Sequence, residues 1–416
     1  MRLLHVSDWH LGRVTYNHSR AEDHDAVLGE IVGLARETRP HLIVHSGDVW
    51  DSVRPSYLEL TRGMEALKEL GAVAPTVVLC GNHDSPHLFE LIGRIAGPEL
   101  RLHFVPLARR PEDGGILEFA GEGEEVVRLA PLPFVHQNRM IDQLEDPATW
   151  MTAYSDRVQR LQDTLARGLQ RNLDLGRHVL LLAAHLHVTG ARFSNSERPL
   201  HVTDTYATRV DQLPPVSYAA YGHIHRPQQL PGTTPGWYAG SPIGLDFGEE
   251  GESKLALVIE AGPGRAAQVQ PHALSGGRPL KRLEGTLAQL RELAPGVGRA
   301  LCIVTVDTRE PVPDLTEQVR QMLPQAVLLN VVERCEATRL TVLGEGDVDT
   351  TTEPSFSEIF REYVSAGRTR AGSAGEVIRN FDHLLAAVQQ DGEVEFPELG
   401  ELRRSEDGAR PRQPVG

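Results

Sequence analysis

Along the first half of the chain, short apolar runs alternate with stretches whose apolar residues recur every three or four positions. RLLHVS at residues 2–7, HLIVHSGD at 41–48 and TVVLCGNHD at 76–84 predict strands that each run straight into polar residues. Between them, residues 20–36 put Val27, Ile31 and Leu34 at helical spacing. Ser56 and Glu59 make a capping-box signature ahead of a second helix, which Gly71 is expected to close. LRLHFV and EEVVRLAPLP predict further strands, helical spacing returns near 148–172, and HVLLLAAH, VSYAAYGHIH, GWYAGS and SKLALVIEA supply four more strands. Residues 1–275 therefore read as an α/β layered or sandwich domain with helices outside.

The rhythm changes after that point. RPLKRLEG, ALCIVTVDT and AVLLNVV predict strands separated by the helices TLAQLREL and DLTEQVRQML, a small α+β domain at residues 276–345. Residues 346–353 fall in a polar linker. Two amphipathic helices are expected within 354–390. The first carries Phe356, Ile359, Phe360, Tyr363 and Val364; the second opens with a capping box at Ser373 and Glu376 and carries Val377, Phe381, Leu384, Leu385 and Val388. Such stripes need something to bury against. Residues 391–416 are rich in Gly, Pro, Arg and Glu and read as a disordered tail.

Four polar clusters share a position, each directly after an apolar strand: Asp8-Trp9-His10, Gly47-Asp48-Val49-Trp50-Asp51, Gly81-Asn82-His83-Asp84 and Gly222-His223-Ile224-His225. Ala184-His185-Leu186-His187 is a fifth, weaker one. Ligands of open α/β sheets gather outside the carboxyl ends of strands, so clusters far apart in sequence can meet there. Period-two alternation would send Asp8 and His10 to one side and Trp9 to the other. Taken singly, each cluster also reads as turn chemistry or a strand-end histidine. Taken together they offer Asp, His and Asn without thiolates, a donor set for Mn, Fe or Zn. So many donors suit two ions sharing a carboxylate, which can clamp the attacking and leaving oxygens of a phosphoryl displacement. Cys80, Trp50 and Trp237 read as packing residues, and His5, His41, His45 and His103 as structural or surface ones.

Composition narrows this picture. A formal net charge of −15 over 416 residues argues against a uniformly basic nucleic-acid binder but leaves room for a local basic groove. Three scattered cysteines fit a reducing cytosol rather than a disulfide framework. No signal peptide and no membrane-length apolar run are visible, so the expected location is cytoplasmic and nucleoid-associated, without a membrane partner.

D-x-H, GD-x-x-D, GNHD, a strand-end His and GH-x-H, in this order, resemble the calcineurin-like metallophosphoesterases. LLHVSDWHLGR, HSGDVWDSVRPS, LCGNHDS, AAHLHVTGARFS and GHIHRPQ…YAGSPIGLDFGE…SK bring the likeness to the SbcD-type nuclease subunits of bacterial SbcCD complexes. The resemblance implies a four-layer αββα metallophosphoesterase sandwich, then a small α+β capping domain that binds DNA and a C-terminal helix-loop-helix. It implies two Mn²⁺ ions, with Mg²⁺ or another divalent ion as the alternative. Asp8, His10, Asp48 and His225 would hold one ion, and Asp48, Asn82, His185 and His223 the other, His187 being the alternative to His185. His83 would contact the scissile phosphate and assist the leaving group, and Asp84 would orient His83.

Relatives from archaea and eukaryotes carry a histidine where this chain has Asp51, so the phosphate-directing role of that histidine does not transfer. The activity implied is DNA phosphodiester hydrolysis by in-line attack of water, as an ATP-dependent 3′→5′ double-strand exonuclease and a single-strand and hairpin endonuclease. ATP would bind a partner, because this chain lacks a G-x-x-x-x-G-K-[ST] loop. That partner is an SbcC-type ABC ATPase, whose coiled coil would be gripped by Phe356, Ile359, Phe360, Tyr363, Phe381, Leu384 and Leu385. A homodimer within a heterotetramer is the expected assembly. Arg13, Tyr16, Arg54 and Arg226 are DNA-contact candidates by their closeness to the motifs. The alternatives are another calcineurin-like phosphodiesterase, a phosphatase, or a non-catalytic scaffold for an ATPase. Phosphoprotein phosphatases would show GD-x-x-D-R-G and GNHE, which this chain does not.

Overall fold

The computed structural model describes residues 1–135, 147–194, 196–197, 208, 215–338, 355–364 and 374–389. It comprises two units, one of Met1–Asp307 with Val312–Arg334 and one of Thr308–Pro311 with Cys335–Gly416. In the larger unit, β1 (Arg2–Val6) leads through a hairpin of β2 (Val14–Thr15) and β3 (His18–Ser19) into α1 (Ala21–Thr38), β4 (Leu42–His45), α2 (Tyr57–Val73), β5 (Thr76–Leu79), α3 (Pro86–Ile95) and β6 (Leu102–Val105). Then come β7 (Leu117–Ala120), β8 (Val126–Leu132), α4 (Pro147–Leu169), β9 (His178–His185), β10 (Tyr218–Gly222), β11 (Gln228–Gln229), β12 (Gly236–Tyr238), β13 (Leu255–Gly262) and β14 (Arg265–Ala273).

These strands form two six-stranded sheets, ordered β14-β13-β1-β4-β5-β6 and β11-β12-β10-β9-β8-β7. β1, β4, β5 and β6 are parallel in the first, and β12, β10, β9 and β8 in the second. Strands buried on both faces read as unbroken apolar runs. One set of their side chains, including Leu3, Val44, Val77, Leu181 and Ala220, fills the space between the sheets. The opposite set packs outward. Leu4, Ile43 and Val78 meet Ile31 of α1 and Leu67 and Leu70 of α2, while Leu132 and Leu182 meet Val158, Leu165 and Leu169 of α4. The result is the αββα four-layer sandwich. His5 ties the layers together: its ring nitrogens lie 2.9 Å from the Tyr218 hydroxyl and 2.9 Å from Ser46 Oγ. Burial pushes its pKa down to about 3, so the ring is neutral in this role.

Two local expectations change. Gly71 does not close α2, which continues to Val73. A Cβ there would come within 2.2 Å of the Leu100 carbonyl oxygen, so Gly71 permits a close chain crossing instead. Ser56 does cap α2 by accepting from Glu59 N. The reciprocal half of the expected box is missing, and Glu59 pairs with Arg62 at 2.7 Å.

A third sheet, ordered β15-β16-β17, is built from β15 (Leu280–Gly285), β16 (Leu301–Thr308) and β17 (Val327–Cys335), with α5 (Leu287–Leu293) and α6 (Leu315–Met322). Leu283, Leu290, Val304 and Val319 form its own core. Leu280 and Leu301 seat it on Phe247, in the loop that follows β12. α7 (Phe356–Tyr363) and α8 (Ala374–Gln389) belong to the smaller unit. Ser355 and Glu358 make a full capping box at α7, one not anticipated from the sequence. Ser373, the linker at 346–353 and the tail at 391–416 lie outside the described residues. Among the described residues, no helix is long and apolar enough to cross a membrane.

The small sheet is tethered to α1 by charge. Glu30 accepts from the backbone N–H of Ser275 and Gly276 at 2.9 and 2.8 Å. Asp23 accepts from Arg20 Nε at 2.7 Å and from Arg278 N and Nε, each at 2.8 Å. Arg20, fully buried, also donates to the carbonyls of Gly244 and Arg278. Burial alone would raise the Asp23 pKa, but hydrogen bonds from Arg278 and Arg20 hold it below the usual carboxylate range. Asp23→Ala leaves Arg20 buried without its counter-charge and should cost about 3–5 kcal/mol in urea unfolding at neutral pH. Because the folded-state pKa is depressed, this contribution is complete above the unfolded value. The gap between wild type and variant should therefore shrink as pH falls below about 4.

Candidate metal centre

The five clusters stand at the ends of five parallel strands, β1, β4 and β5 of one sheet and β9 and β10 of the other. Facing sheets bring these ends into one cleft. The loops are laced by backbone hydrogen bonds: Asp8 N to Gly47 O (2.9 Å), His10 N to Asp48 O (3.1 Å) and Leu11 N to Val49 O (3.0 Å). The strand-alternation argument for Asp8 and His10 does not hold, because β1 ends at Val6. Asp8 (φ 50°), His10 (φ 49°) and Asp48 (φ 56°) are all left-handed, and His223 has φ 99°. Non-glycine residues in this region are strained and persist only where the surroundings over-determine them. Trp9 is still sent away from the cleft, fully buried and edge-on to His45 at 4.6 Å. Two of the motif glycines serve close approach. A Cβ on Gly47 would sit 2.2 Å from His185 Nδ1, and one on Gly81 would sit 2.1 Å from Asp48 Oδ1.

Three overlapping groups of donor atoms result among the described residues: Asp8, His10 and His225; Asp8, Asp48 and His185; and His10, Asp48 and His83 each place one potential ligand atom within 4.8 Å of the others. Asp48 Oδ2 links them, 3.6 Å from His10 Nε2 and 3.4 Å from His185 Nε2. Its other oxygen accepts from His83 N at 2.8 Å. Asn82 Oδ1 faces His185 Nε2 at 2.9 Å and His223 Nδ1 at 2.8 Å. Asp8 accepts from His223 N through both oxygens, at 3.1 and 3.2 Å. His187, the alternative in its stretch, packs its ring on Phe193 at 4.9 Å.

The donor chemistry fits divalent cations. His10 Nδ1 is committed to Asp51 Oδ1 at 3.0 Å, and its Nε2 faces His225 Nε2 at 3.1 Å. His185 Nδ1 donates to Ser46 O at 2.8 Å, which leaves Nε2 toward Asn82 and Asp48. Nitrogen and oxygen atoms this close need a proton or a metal ion between them. Burial pushes the His185 pKa down, but Asp48 and Asp8 outweigh it and raise the value to about 9. For His225, burial lowers and Glu249 more than restores, for a net rise. Burial would raise Asp48, yet His185, His83 and His10 hold it well below the usual range. Burial dominates at Asp8 and raises its pKa. Protons on these imidazoles are the charges that a divalent cation would replace.

The remaining predicted residues separate. His83, at the rim with its side chain 10% exposed, donates from Nδ1 to the Asp51 carbonyl at 2.9 Å. Asp84 accepts from the backbone N–H of Gly81 (2.9 Å), Trp50 (3.1 Å) and Val49 (3.3 Å). It thus holds the loop that carries His83, while the His83 Nδ1 is oriented by Asp51. Burial and the nearby Asp48 charge raise the Asp84 pKa to about 7. Sequence reasoning missed Asp51 as the support of both His10 and His83; its place three residues after Asp48 in GD-x-x-D was the available signal. Arg13 approaches Asp51 at 3.6 Å, Arg226 approaches Glu252 at 3.7 Å, Arg54 is exposed, and Tyr16 stands at the tip of the β2–β3 hairpin against Phe247.

Residues 1–227 match the calcineurin-like phosphoesterase family, and residues 277–367 match the type 5 capsule protein repressor C-terminal domain. Over 287 residues the chain is 30% identical to the SbcD component of the nuclease SbcCD from Bacillus subtilis, covering 67% of this chain and 71% of that one. Over 383 residues it is 29% identical to the corresponding SbcD component from Escherichia coli K12, covering 88% and 93%.

Asp48 Oδ2 stands within 3.6 Å of imidazoles from both sheets, His10 and His185, so Asp48→Asn should abolish the binding of two divalent ions, whereas Asp8→Ala should lose one. Isothermal titration with Mn²⁺ reads the stoichiometry. Two ions retained by Asp48→Asn would contradict the shared-oxygen geometry.

Proposed function

The chain belongs to the calcineurin-like phosphoesterases, as an SbcD-type metal-dependent phosphodiester hydrolase, and on that premise we propose that it is the Mn²⁺-dependent DNA nuclease component of an SbcCD-type complex. The observation that carries this reading is the position of Asp48 Oδ2 close to both His10 and His185, within overlapping groups of buried donors at the ends of five strands. Asp8, His10, Asp48 and His225 would hold one ion; Asp48, Asn82, His185 and His223 would hold the other. When bound, such a pair supplies Lewis-acid stabilisation and an activated water for in-line displacement.

The chain's own residues do the rest. His83, its Nδ1 committed to Asp51, exchanges a proton with the phosphate or the leaving oxygen through Nε2. Asp84 keeps the His83 loop in register by gathering three backbone N–H groups. Arg13, Tyr16, Arg54 and Arg226, close to the motifs in sequence, would serve phosphate contact, Arg13 and Arg226 turning to it from Asp51 and Glu252. Residues 276–345 act as the DNA-contacting cap.

Within the smaller unit, α7 and α8 are clamped together by stacked Phe360 and Phe381 rings 3.8 Å apart and by Arg361 on Asp382 at 2.7 Å. Phe356, Ile359, Tyr363 and Leu384 remain 70, 51, 45 and 39% exposed, an apolar face suited to the coiled coil of an SbcC-type ATPase. Tyr57 and Leu58 at the start of α2 and Leu91 and Ile95 on α3 are exposed as well and suit a homodimer contact. ATP-dependent exonuclease action on duplex ends and endonuclease action on hairpins or single strands complete the proposal.

Purified protein with its ATPase partner should digest labelled duplex DNA when Mn²⁺ is present. His83→Ala should slow that digestion by about 10²–10⁴-fold while both ions still bind. Hydrolysis of a small chromogenic phosphodiester with no action on DNA would overturn the nuclease reading.

A further inference from the structure

Behind His225 lies a buried polar relay that the donor set does not use. Glu249 is fully buried at its side chain and Lys254 nearly so, and they pair at 2.5 Å. Lys254 also donates to Glu252 (3.2 Å), to Ser241 Oγ (3.1 Å) and to the His225 carbonyl (3.2 Å). The second Glu249 oxygen accepts from Ser196 Oγ, which in turn lies 2.6 Å from His225 Nδ1. Hydrogen-bond capacity fixes the direction of this chain. A carboxylate paired with an ammonium only accepts, so the single Ser196 proton goes to Glu249. Ser196 Oγ must then accept from His225 Nδ1–H, which leaves the lone pair on Nε2. That atom is the one aimed into the cleft, 3.1 Å from His10 Nε2. The backbone of His225 is fixed too: its N–H donates to Glu197 (3.1 Å) and its carbonyl accepts from Ser241 N (3.0 Å).

We propose that Glu249, held by Lys254 and acting through Ser196, is the positioning residue that fixes His225 as an Nε2 ligand and sets the affinity of the ion it shares with Asp8 and His10. Partners on the far nitrogen of a ligating imidazole fix its tautomer and raise its basicity. The two ion sites differ in this respect. His10 and His225 are backed by the carboxylates Asp51 and Glu249, whereas His185 is backed by the neutral Ser46 carbonyl. The stretch that runs from Ser241 to Lys254 thereby acquires a chemical purpose at a site its own residues never enter.

The inference rests on the two-ion reading, and the experiment separates the two. Mn²⁺ is titrated into the full-length chain and followed by calorimetry and by electron paramagnetic resonance. Ser196→Ala leaves the Glu249–Lys254 pair in place, so it tests the relay without emptying the core. It should weaken one of the two sites by about 10- to 100-fold, convert the spin-coupled signal to that of a single ion at intermediate Mn²⁺, and leave the second site at wild-type affinity. Ser196→Thr, which keeps the hydroxyl, should restore the lost site. Glu249→Gln should weaken the same site as Ser196→Ala. A wild type that binds fewer than two ions contradicts the two-ion reading itself. Two ions in wild type with unchanged binding in Ser196→Ala, equal weakening at both sites, or no rescue by threonine overturns the relay alone.

Discussion

Lone-pair donors crowded into one buried space, which only a proton or a cation between them can reconcile, are the constraint on which the rest of this protein depends. Nε2 of His10 and of His225 meet at 3.1 Å, each ring's Nδ1 already committed to a neighbour. His185 Nε2 meets Asn82 Oδ1 at 2.9 Å with Asp48 close by. Asp8 and Asp48 are both buried, and an unpaired carboxylate in such a place costs several kcal/mol. Positive charge between these groups turns that cost into binding free energy, which is why the cleft is a site for divalent ions and not merely a polar defect.

Holding such groups together in defiance of their repulsion requires a rigid frame. Five strand ends from two facing sheets supply it, with Trp9 and Trp50 fully buried beneath the loops. Four of the donor residues sit at positive φ, so the backbone itself bears strain at the point of function. The loop-to-loop hydrogen bonds from Asp8, His10 and Leu11 to Gly47, Asp48 and Val49 keep that strain from relaxing. The apolar core between the sheets and the chemistry at their edge are therefore one structure: the sheets cannot slide without separating the two halves of the ligand set.

The sandwich and the convergence of the polar clusters were legible from residue order. Parallel strands buried on both faces leave uninterrupted apolar runs, and those runs stop abruptly at Asp8, Asp48, Asn82, His185 and His223. Other features were not legible, for physical reasons. Alternation placed Asp8 and His10 on one side of a strand that ends at Val6; they share the cleft because of left-handed turns that no hydrophobic pattern encodes. Gly71 looked like a helix end because glycine serves caps and close crossings alike, and only the Leu100 carbonyl tells them apart. Ser196 and Glu249 meet His225 across long sequence separations, so their partners could not be read from spacing. Between His185 and His187, it is His185, the last residue of β9, that faces Asp48 and Asn82, while the His187 ring packs on Phe193.

The central claim, that two cations share Asp48 in one cleft, is tested most directly by anomalous diffraction from crystals soaked in Mn²⁺. Two peaks about 3.5–4 Å apart are predicted, one beside Asp8, His10 and His225 and the other beside Asn82, His185 and His223, with Asp48 touching both. A single peak, or a pair of peaks that leaves Asp48 uncoordinated, would contradict the account.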